Sequence, residues 1–239
     1  MPETVAIVVP AYNEESILTE KILQINEFIK DKLSPYNIII ADNNSTDKTP
    51  ELAKGITSEH ENILYHHVPI RGKGSAIKRT WLAFDYDIYS FMDVDLSTDL
   101  GAFPALIEAV KGGCDIAVGS RYVEGAYTIR SFKRETISKA YRTLFTLLFK
   151  SGVLDPQCGF KAISRKVRDE VLGDVETDGF FFDTELLIRA YHKGFSIKEA
   201  PIVWTEDPDS TVNFIRDIPS FLKGLSKLKY YQIKGGLEK

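Results

Sequence analysis

The sequence predicts an α/β fold, a doubly wound, mostly parallel (mixed) sheet with helices on both faces. Three observations carry that expectation. Short runs rich in β-branched or aromatic residues, apolar almost throughout, suit strands covered on both faces. Segments of helical spacing separate them as far as about residue 120, and strand then helix, repeated, is the pattern of an open α/β sheet. Polar clusters follow the strand runs, where such sheets bind ligands. The 239 residues suffice for a sizeable core, and 44% hydrophobic with 27% charged residues reads as globular.

The elements follow in order. "TVAIVVPAY" opens the sheet, and Ile17, Ile22, Ile25, Phe28 and Ile29 mark the first helix. "YNIIIAD" is the second strand, with Leu52 and Ile56 on the helix after it. "NILYHHV" precedes a helix through Ala76, Arg79 and Ala83; "IYSFMDV" precedes one through Phe103, Leu106, Ile107 and Val110; "CDIAVGS" is the fifth strand. The second half carries two amphipathic helical patterns. Residues 129–150 contain Arg130, Lys133, Arg134, Lys139, Arg142 and Lys150 against the single acid Glu135, with Phe132, Ile137, Tyr141, Leu144, Phe145 and Leu148 as an apolar face. Near the C-terminus Phe214, Ile218, Phe221, Leu222, Leu225 and Leu228 recur at helical spacing, interrupted by Pro219 and Gly224. Basic amphipathic helices suit an anionic lipid surface. They are also common in cores and at contacts between subunits.

Five polar loops would share one cleft: "PAYNE", "ADNNSTD", "RGKGSA", "DVDLSTD" and "GSRY". Each alone has an ordinary reading, such as turn and helix-cap chemistry for "NNSTD". Their convergence on one sheet edge points to a ligand site. Asp93, Asp95 and Asp99 lie within seven positions, and unpaired like charges at a strand end are costly. Alternate residues of an extended segment point the same way, so Asp93 and Asp95 form a pair suited to Mg²⁺ or Mn²⁺, which substrate phosphates would complete. The first strand is followed by no glycine of a G-x-G-x-x-G turn, and "RGKGSA" does not fit a P-loop.

Composition excludes other classes. A net charge of −4 gives no general field for nucleic acid. Two cysteines, Cys114 and Cys158, are too few for a disulfide framework and fit reduced thiols in the cytoplasm. The acidic N-terminus does not read as a signal peptide, and no apolar run approaches the roughly 18–20 residues that span a bilayer.

"VVPAYNE", "ADNNSTDKT", "GKGSAIK" and "DVDLS", in this order, resemble the family 2 glycosyltransferases of GT-A fold, with "DVD" as their D-x-D. "RSFKR", "DPQCGFKAISR", "FFFDTELL" and "PIVWTE" are similar to dolichyl-phosphate glucose synthases and, less closely, dolichyl-phosphate mannose synthases. The resemblance implies one GT-A domain over 1–239: a nucleotide-sugar-binding half (1–120), an acceptor-binding half (121–210) and a C-terminal amphipathic helix (211–239). It implies that Pro10, Ala11, Tyr12 and Glu14 line the nucleoside pocket and that Asp42 reads the base. Lys73 would lie near the nucleotide, and Asp93 and Asp95 would hold ribose, a divalent metal (Mg²⁺ or Mn²⁺) and diphosphate. Arg121 and Arg134 would approach the phosphates of donor or acceptor, and Glu185 would position the acceptor. Asn43 and Asn44 replace an acid and a glycine frequent in the family, and Ser97 stands where mannose synthases place a glutamine.

The implied activity is inverting transfer of a hexose, UDP-glucose being the favoured donor, to dolichyl or polyprenyl phosphate. GDP-mannose, a hydroxyl acceptor and non-catalytic binding are the alternatives. A phosphate monoester acceptor is mostly dianionic at neutral pH, so cations matter more than a general base. The expected setting is peripheral, on the cytoplasmic face of a membrane, with a homo-oligomer left open. Asp183 reads equally as a helix cap, Cys158 as a packing thiol, and Trp204 and Thr205 as residues near the acceptor. His66 and His67 point to opposite faces of a strand and share no metal.

Overall fold

Seven strands form one mixed sheet, and one of them runs against all the others. The structure, a computed structural model, describes residues 2–206 and 214–237, with the side chains of 133–134 and 214–217 outside that description. In chain order the first half comprises β1 (Val5–Ala11), α1 (Leu18–Ile29), β2 (Tyr36–Asp42), α2 (Thr49–Glu59), β3 (Ile63–His67), α3 (Lys73–Ala83), β4 (Ile88–Met92), α4 (Phe103–Lys111) and β5 (Ile116–Ser120). The second half adds β6 (Tyr127–Ile129), α5 (Phe132–Phe149), β7 (Phe160–Ser164), α6 (Arg165–Val171), α7 (Phe182–His192), β8 (Ile197–Pro201), β9 (Val203–Thr205) and α8 (Phe214–Ile233). The sheet order is β3-β2-β1-β4-β7-β5-β8, and β6 and β9 make a separate parallel ribbon.

The five expected strands are β1 to β5; the runs of Val, Ile and Phe in β1, β2, β4 and β5 are buried on both faces, while β3, at the sheet edge, is half-exposed beyond Ile63. Each fully buried aliphatic or aromatic side chain contributes about 1.5–3 kcal/mol. Trp81 of α3 sits between Tyr89, Phe91 and Phe182 with ring centroids 6.3, 5.9 and 6.1 Å away, tying the sheet to α7.

Register places the site. Ala11 pairs with Asp42 at the carboxyl ends of β1 and β2, and Asp42 with His67 of β3. Because β7 is antiparallel to β4, its first residue Phe160 pairs with Met92, the last of β4. The residues just before β7, Cys158 and Gly159, therefore arrive where Asp93 leaves the sheet. This strand joins residues from both expected halves, so the division at 120/121 runs through a single sheet.

The amphipathic segments are helices with inward stripes. Phe145 and Phe149 of α5 and Phe221, Leu225 and Leu228 of α8 are buried. Phe221 meets Tyr141 and Phe181 at 5.4 and 6.0 Å. Gly224 is a seat rather than a break: a Cβ there would lie 2.5 Å from the Phe181 ring. Helix α8 also continues through Pro219. Phe132 remains 87% and Leu147 70% exposed on α5, as do Tyr230 and Ile233 of α8. No described helix is long and apolar enough to cross a membrane.

Candidate active site

The loops after β1 and β2 are laced together by side chains. Backbone N–H groups of Asn13, Glu14 and Glu15 donate to Ser45, Thr49 and Asp47. In return Asn13 and Glu15 accept from the N–H groups of Thr46 and Lys48. Asn13 and Asn44 hold positive φ (56° and 61°), a conformation asparagine tolerates better than most residues. Asn43 accepts the Gly72 N–H at 2.6 Å and donates to the Ile70 carbonyl at 2.6 Å, which fixes the "RGKG" loop. The Arg71 guanidinium lies 4.3 Å over the Tyr12 ring. Pro10 and Ala11 end β1, so these loops lie together at the carboxyl edge of the sheet.

Asp42, expected to read the base, is fully enclosed by its neighbours. Its buried carboxylate accepts from the Ser45 N–H and the Tyr65 hydroxyl, and lies 3.0 Å from His67 Nδ1. Burial works against its charge, yet the bonds from Ser45, His67 and Tyr65 hold it below the ordinary carboxylate range. Burial together with the same carboxylate pushes the Tyr65 hydroxyl up to about 12. These partners fix the carboxylate at the carboxyl end of β2. His67, half exposed and oriented by Asp42, is the group that reaches solvent. His66 faces the opposite side and bonds Thr80, as the strand alternation predicted.

At the end of β4 the three acids part company. Asp99 caps the short helical turn at Leu100–Ala102 by accepting the Gly101 N–H. Asp95 accepts the Ser97 N–H at 2.9 Å; burial and the charge of Asp93 raise its pKa. Asp93 is partly exposed, with Oδ1 2.7 Å from Lys73 Nζ. Lys73 also lies 3.8 Å from Asp183 Oδ2, and the other oxygen of Asp183 accepts from the buried Lys161 at 2.6 Å. Four charges thus alternate in sign from the sheet edge inward. Burial opposes the Lys73 charge, but Asp93 and Asp183 outweigh it and raise its pKa. Asp183 is no helix cap, since it sits inside the first turn of α7.

Glycine makes this packing feasible. A Cβ on Gly159 would stand 2.0 Å from Asp93 Oδ2 and 2.8 Å from Lys73 Nζ. A Cβ on Gly72, at φ 131°, would stand 2.0 Å from the Asp178 carbonyl oxygen. The turn at 177–179 is held in turn by Glu185, whose oxygens accept from the N–H groups of Glu176 and Thr177, the Thr177 hydroxyl and Arg189 Nε. Every direction of that buried carboxylate is used. Glu185, expected to position the acceptor, braces the turn that packs on the start of α3 in this structure.

Arg121 is clamped by Asp155, with Nε to Oδ2 at 2.7 Å and Nη2 to Oδ1 at 2.8 Å. Burial works against both charges, and each keeps the other ionised: Asp155 lies below its ordinary range and Arg121 above. Glu199 of β8 holds the N–H groups of Leu154 and Asp155 beneath them. Around Tyr122 gather Arg142, Arg130 and Arg121, with guanidinium carbons 4.3, 5.4 and 5.9 Å from the ring. Arg121 also lies 5.5 Å over Trp204. Arg134 belongs to the first turn of α5, and its side chain is outside the described residues. Cys158 is buried, which pushes its thiol up to about 12, so it packs and does not attack.

The loop after Asp95 is stitched to the ribbon. Thr205 N–H donates to the Ser97 carbonyl and Asp99 N–H to the Val203 carbonyl, with Thr98 bridged to Trp204. Tyr127, Ile129 and Val203 are exposed on that ribbon, next to Phe132 in sequence. Sequence reasoning missed Lys161, Gly159, Asp155, Tyr122 and His67. Of these, Asp155, Gly159 and Lys161 stand inside the noted "DPQCGFKAISR" and Tyr122 inside "GSRY", and the sequence weighs His67 only as a metal ligand.

The donor set fits a divalent cation. Asp93 and Asp95 are hard oxygen ligands, and the raised pKa of Asp95 marks charge short of compensation. Among the described residues no cluster of three or more His, Cys, Asp or Glu groups forms. Two carboxylates completed by substrate oxygens is how Mg²⁺ is commonly held.

Residues 6–172 match the model of Glycosyl transferase family 2. The chain is 36% identical over 218 residues to the glycosyltransferase AglD of Haloferax volcanii, covering 90% of this chain and 35% of that protein. It thus spans about a third of that relative. It is 28% identical to a dolichyl-phosphate beta-glucosyltransferase of Saccharomyces cerevisiae, covering 96% of this chain and 75% of that one. To the polyprenol monophosphomannose synthase of Mycolicibacterium smegmatis it is 31% identical, covering 84% and 77%. The fold resembles glucosyl-3-phosphoglycerate synthase from Mycobacterium tuberculosis in complex with uridine-diphosphate, with TM-score 0.71, 22% identity and coverage of 95% and 80%. That synthase has also been crystallised with Mn²⁺ or Mg²⁺ and uridine-diphosphate.

Proposed function

The chain belongs to glycosyl transferase family 2, and from that premise we propose that it moves a hexose, with inversion, from a nucleotide-diphosphate sugar to a polyprenyl phosphate such as dolichyl phosphate. UDP-glucose is the favoured donor. One observation carries the reading: Asp93 and Asp95 close the end of β4 beside Lys73, on a loop stitched to a ribbon with an exposed apolar face and arginines nearby.

Each group then has a task. Pro10, Ala11, Tyr12 and Glu14 enclose the nucleoside, with Asp42 acting through the groups it orients. Asp93 and Asp95 would hold Mg²⁺ or Mn²⁺, which when bound supplies positive charge at the departing diphosphate. Lys73 adds a cation to the same region. The acceptor phosphate needs no proton removed, because its second pKa is near ~6. It attacks the anomeric carbon on the face opposite the leaving diphosphate; Arg134 and Arg142 would bring charge to it, while Arg121 and Arg130, already paired with Asp155 and Glu135, would position Tyr122 beside it. Glu185 is given no part in the chemistry.

The apolar residues Tyr127, Ile129, Val203 and Phe132 would meet the isoprenoid chain at the lipid surface, with the basic α5 on anionic headgroups at about 1 kcal/mol per cation. In this reading the protein is peripheral, on the cytoplasmic face of a membrane. Vesicles containing anionic lipid should co-sediment it at low salt; a protein left wholly in the supernatant would remove the membrane from the reading. The named mannose synthase relative keeps GDP-mannose as the competing donor. The deciding assay supplies radiolabelled UDP- and GDP-sugars with polyprenyl phosphate, with metal or EDTA, to the wild type and Asp95→Ala. Metal-dependent label in the organic phase, lost in the variant, is expected. Label only in water-soluble product, or none, would refute the proposed acceptor.

A further inference from the structure

Lys73 is ion-paired on two sides within the candidate site. Its ammonium is 2.7 Å from Asp93 Oδ1, so the cation nearest the D-x-D pair belongs to the protein. The position is built. Asp183 holds the same ammonium from the other side at 3.8 Å, Lys161 fixes Asp183, and Gly159 leaves the space in which Asp93 and Lys73 meet. Lys73 starts α3, whose preceding Gly72 is braced by Asn43 and by the Asp178 turn, so the backbone beneath it is fixed.

We infer that the Lys73 ammonium is a built-in counter-ion that competes with the divalent cation for Asp93 and surrenders it when a nucleoside diphosphate arrives. The inference rests on the transferase reading for the identity of that diphosphate. The competition itself follows from the ion pair. With Lys73 on Asp93, one of only two carboxylates at the site is already neutralised, and a cation alone would have to displace an ammonium still attracted by Asp183. A diphosphate offers the ammonium new oxygens and offers the cation the ligands that two carboxylates do not supply. Lys73 therefore makes loading of the site conditional on substrate. Free cation is discriminated against, and cation together with nucleotide is favoured.

Mn²⁺ binding to the whole protein tests this without any turnover. Free Mn²⁺ is followed by electron paramagnetic resonance during titration, with no nucleotide and then with saturating UDP. Lys73→Met should bind Mn²⁺ alone about tenfold more tightly than wild type, or better, since the competing charge is gone. Its further tightening on adding UDP should be smaller. Lys73→Gln, which keeps a polar end without charge, should behave alike, and circular dichroism confirms that whichever variant is used is folded. Unchanged or weaker Mn²⁺ binding in a folded neutral variant would overturn the inference. Asp95→Asn should abolish the binding in both backgrounds, and retention would place the cation elsewhere and also overturn it. Because the readout involves no sugar and no lipid, a protein that failed the transfer assay would still give one answer or the other.

Discussion

Replacing Gly159 by alanine should disable the site and leave the fold standing. The added Cβ would lie 2.0 Å from Asp93 Oδ2 and 2.8 Å from Lys73 Nζ. Comfortable contact begins near ~3.5 Å, so Asp93 must retreat by more than about 1 Å. Both atoms struck are the ends of flexible side chains, not backbone. The steric cost should therefore stay near the low end of the ~1–3 kcal/mol typical of overpacking, at about 2–4 °C of Tm per kcal/mol for a chain of this size. Catalytic geometry is far less forgiving: a displacement of roughly 1 Å costs on the order of 10²-fold in rate. Sugar transfer and thermal unfolding measured on one preparation should show about a hundredfold loss of rate against a Tm lowered by only a few degrees. A rate within threefold of wild type would refute the argument that Asp93 must stand where Gly159 permits.

Asp95→Asn should invert the usual relation between stability and activity: transfer is lost, while the metal-free protein melts about 1–3 °C higher at neutral pH. The sign follows from the raised pKa of Asp95, because the folded state binds that proton more tightly than the unfolded chain; its ionised form is unfavourable above the folded pKa and relieved below it. Asp42 behaves oppositely, its depressed pKa stabilising the fold above the pKa of the unfolded chain and losing that contribution as pH falls through its folded pKa. Asp42→Asn should therefore unfold more easily than wild type at pH 7, with the gap narrowing in denaturant titrations below about pH 4. Glu185→Ala removes one of two carboxylates paired with Arg189, Glu176 remaining at 3.3 Å, and should lower Tm by roughly 5 °C, by calorimetry, through a cost of about 1–3 kcal/mol.

Local sequence carried the first half of this molecule well. Four of the five strands that read as apolar runs are covered on both faces, β3 at the edge being the exception, and the loops after them meet because parallel strands all end at one edge. β7 was invisible for the complementary reason. "FKAIS" places a buried lysine in the middle of a central strand, which no periodicity reveals, and its partners are 22 residues away in Asp183 and far upstream in β4. Individual acids were separable only by their partners. Asp93 took a lysine, Asp95 a backbone N–H and Asp99 a cap, from three positions alike in sequence. Likewise Glu185 and Asp183 stand two apart on one helix, yet one braces a turn and the other completes the charge chain. Such assignments depend on long-range packing, which a single segment does not encode.

The reversed strand also has a consequence for biosynthesis. As the chain emerges, β4 and β5 are both available by residue 120, with facing edges that have no mate until residues 160–164 follow. At ordinary rates of about 5–20 residues per second this leaves two strand edges open for roughly 2–9 s, the condition under which strands pair wrongly. Slow codons between those points would lengthen the hazard, and a chain cut after β5 would keep it permanently. The same topology offers a tool: fragments divided between Lys150 and Pro156, each unable to close the sheet alone, would restore the D-x-D neighbourhood only on reassociation, so that recovered activity would report their meeting.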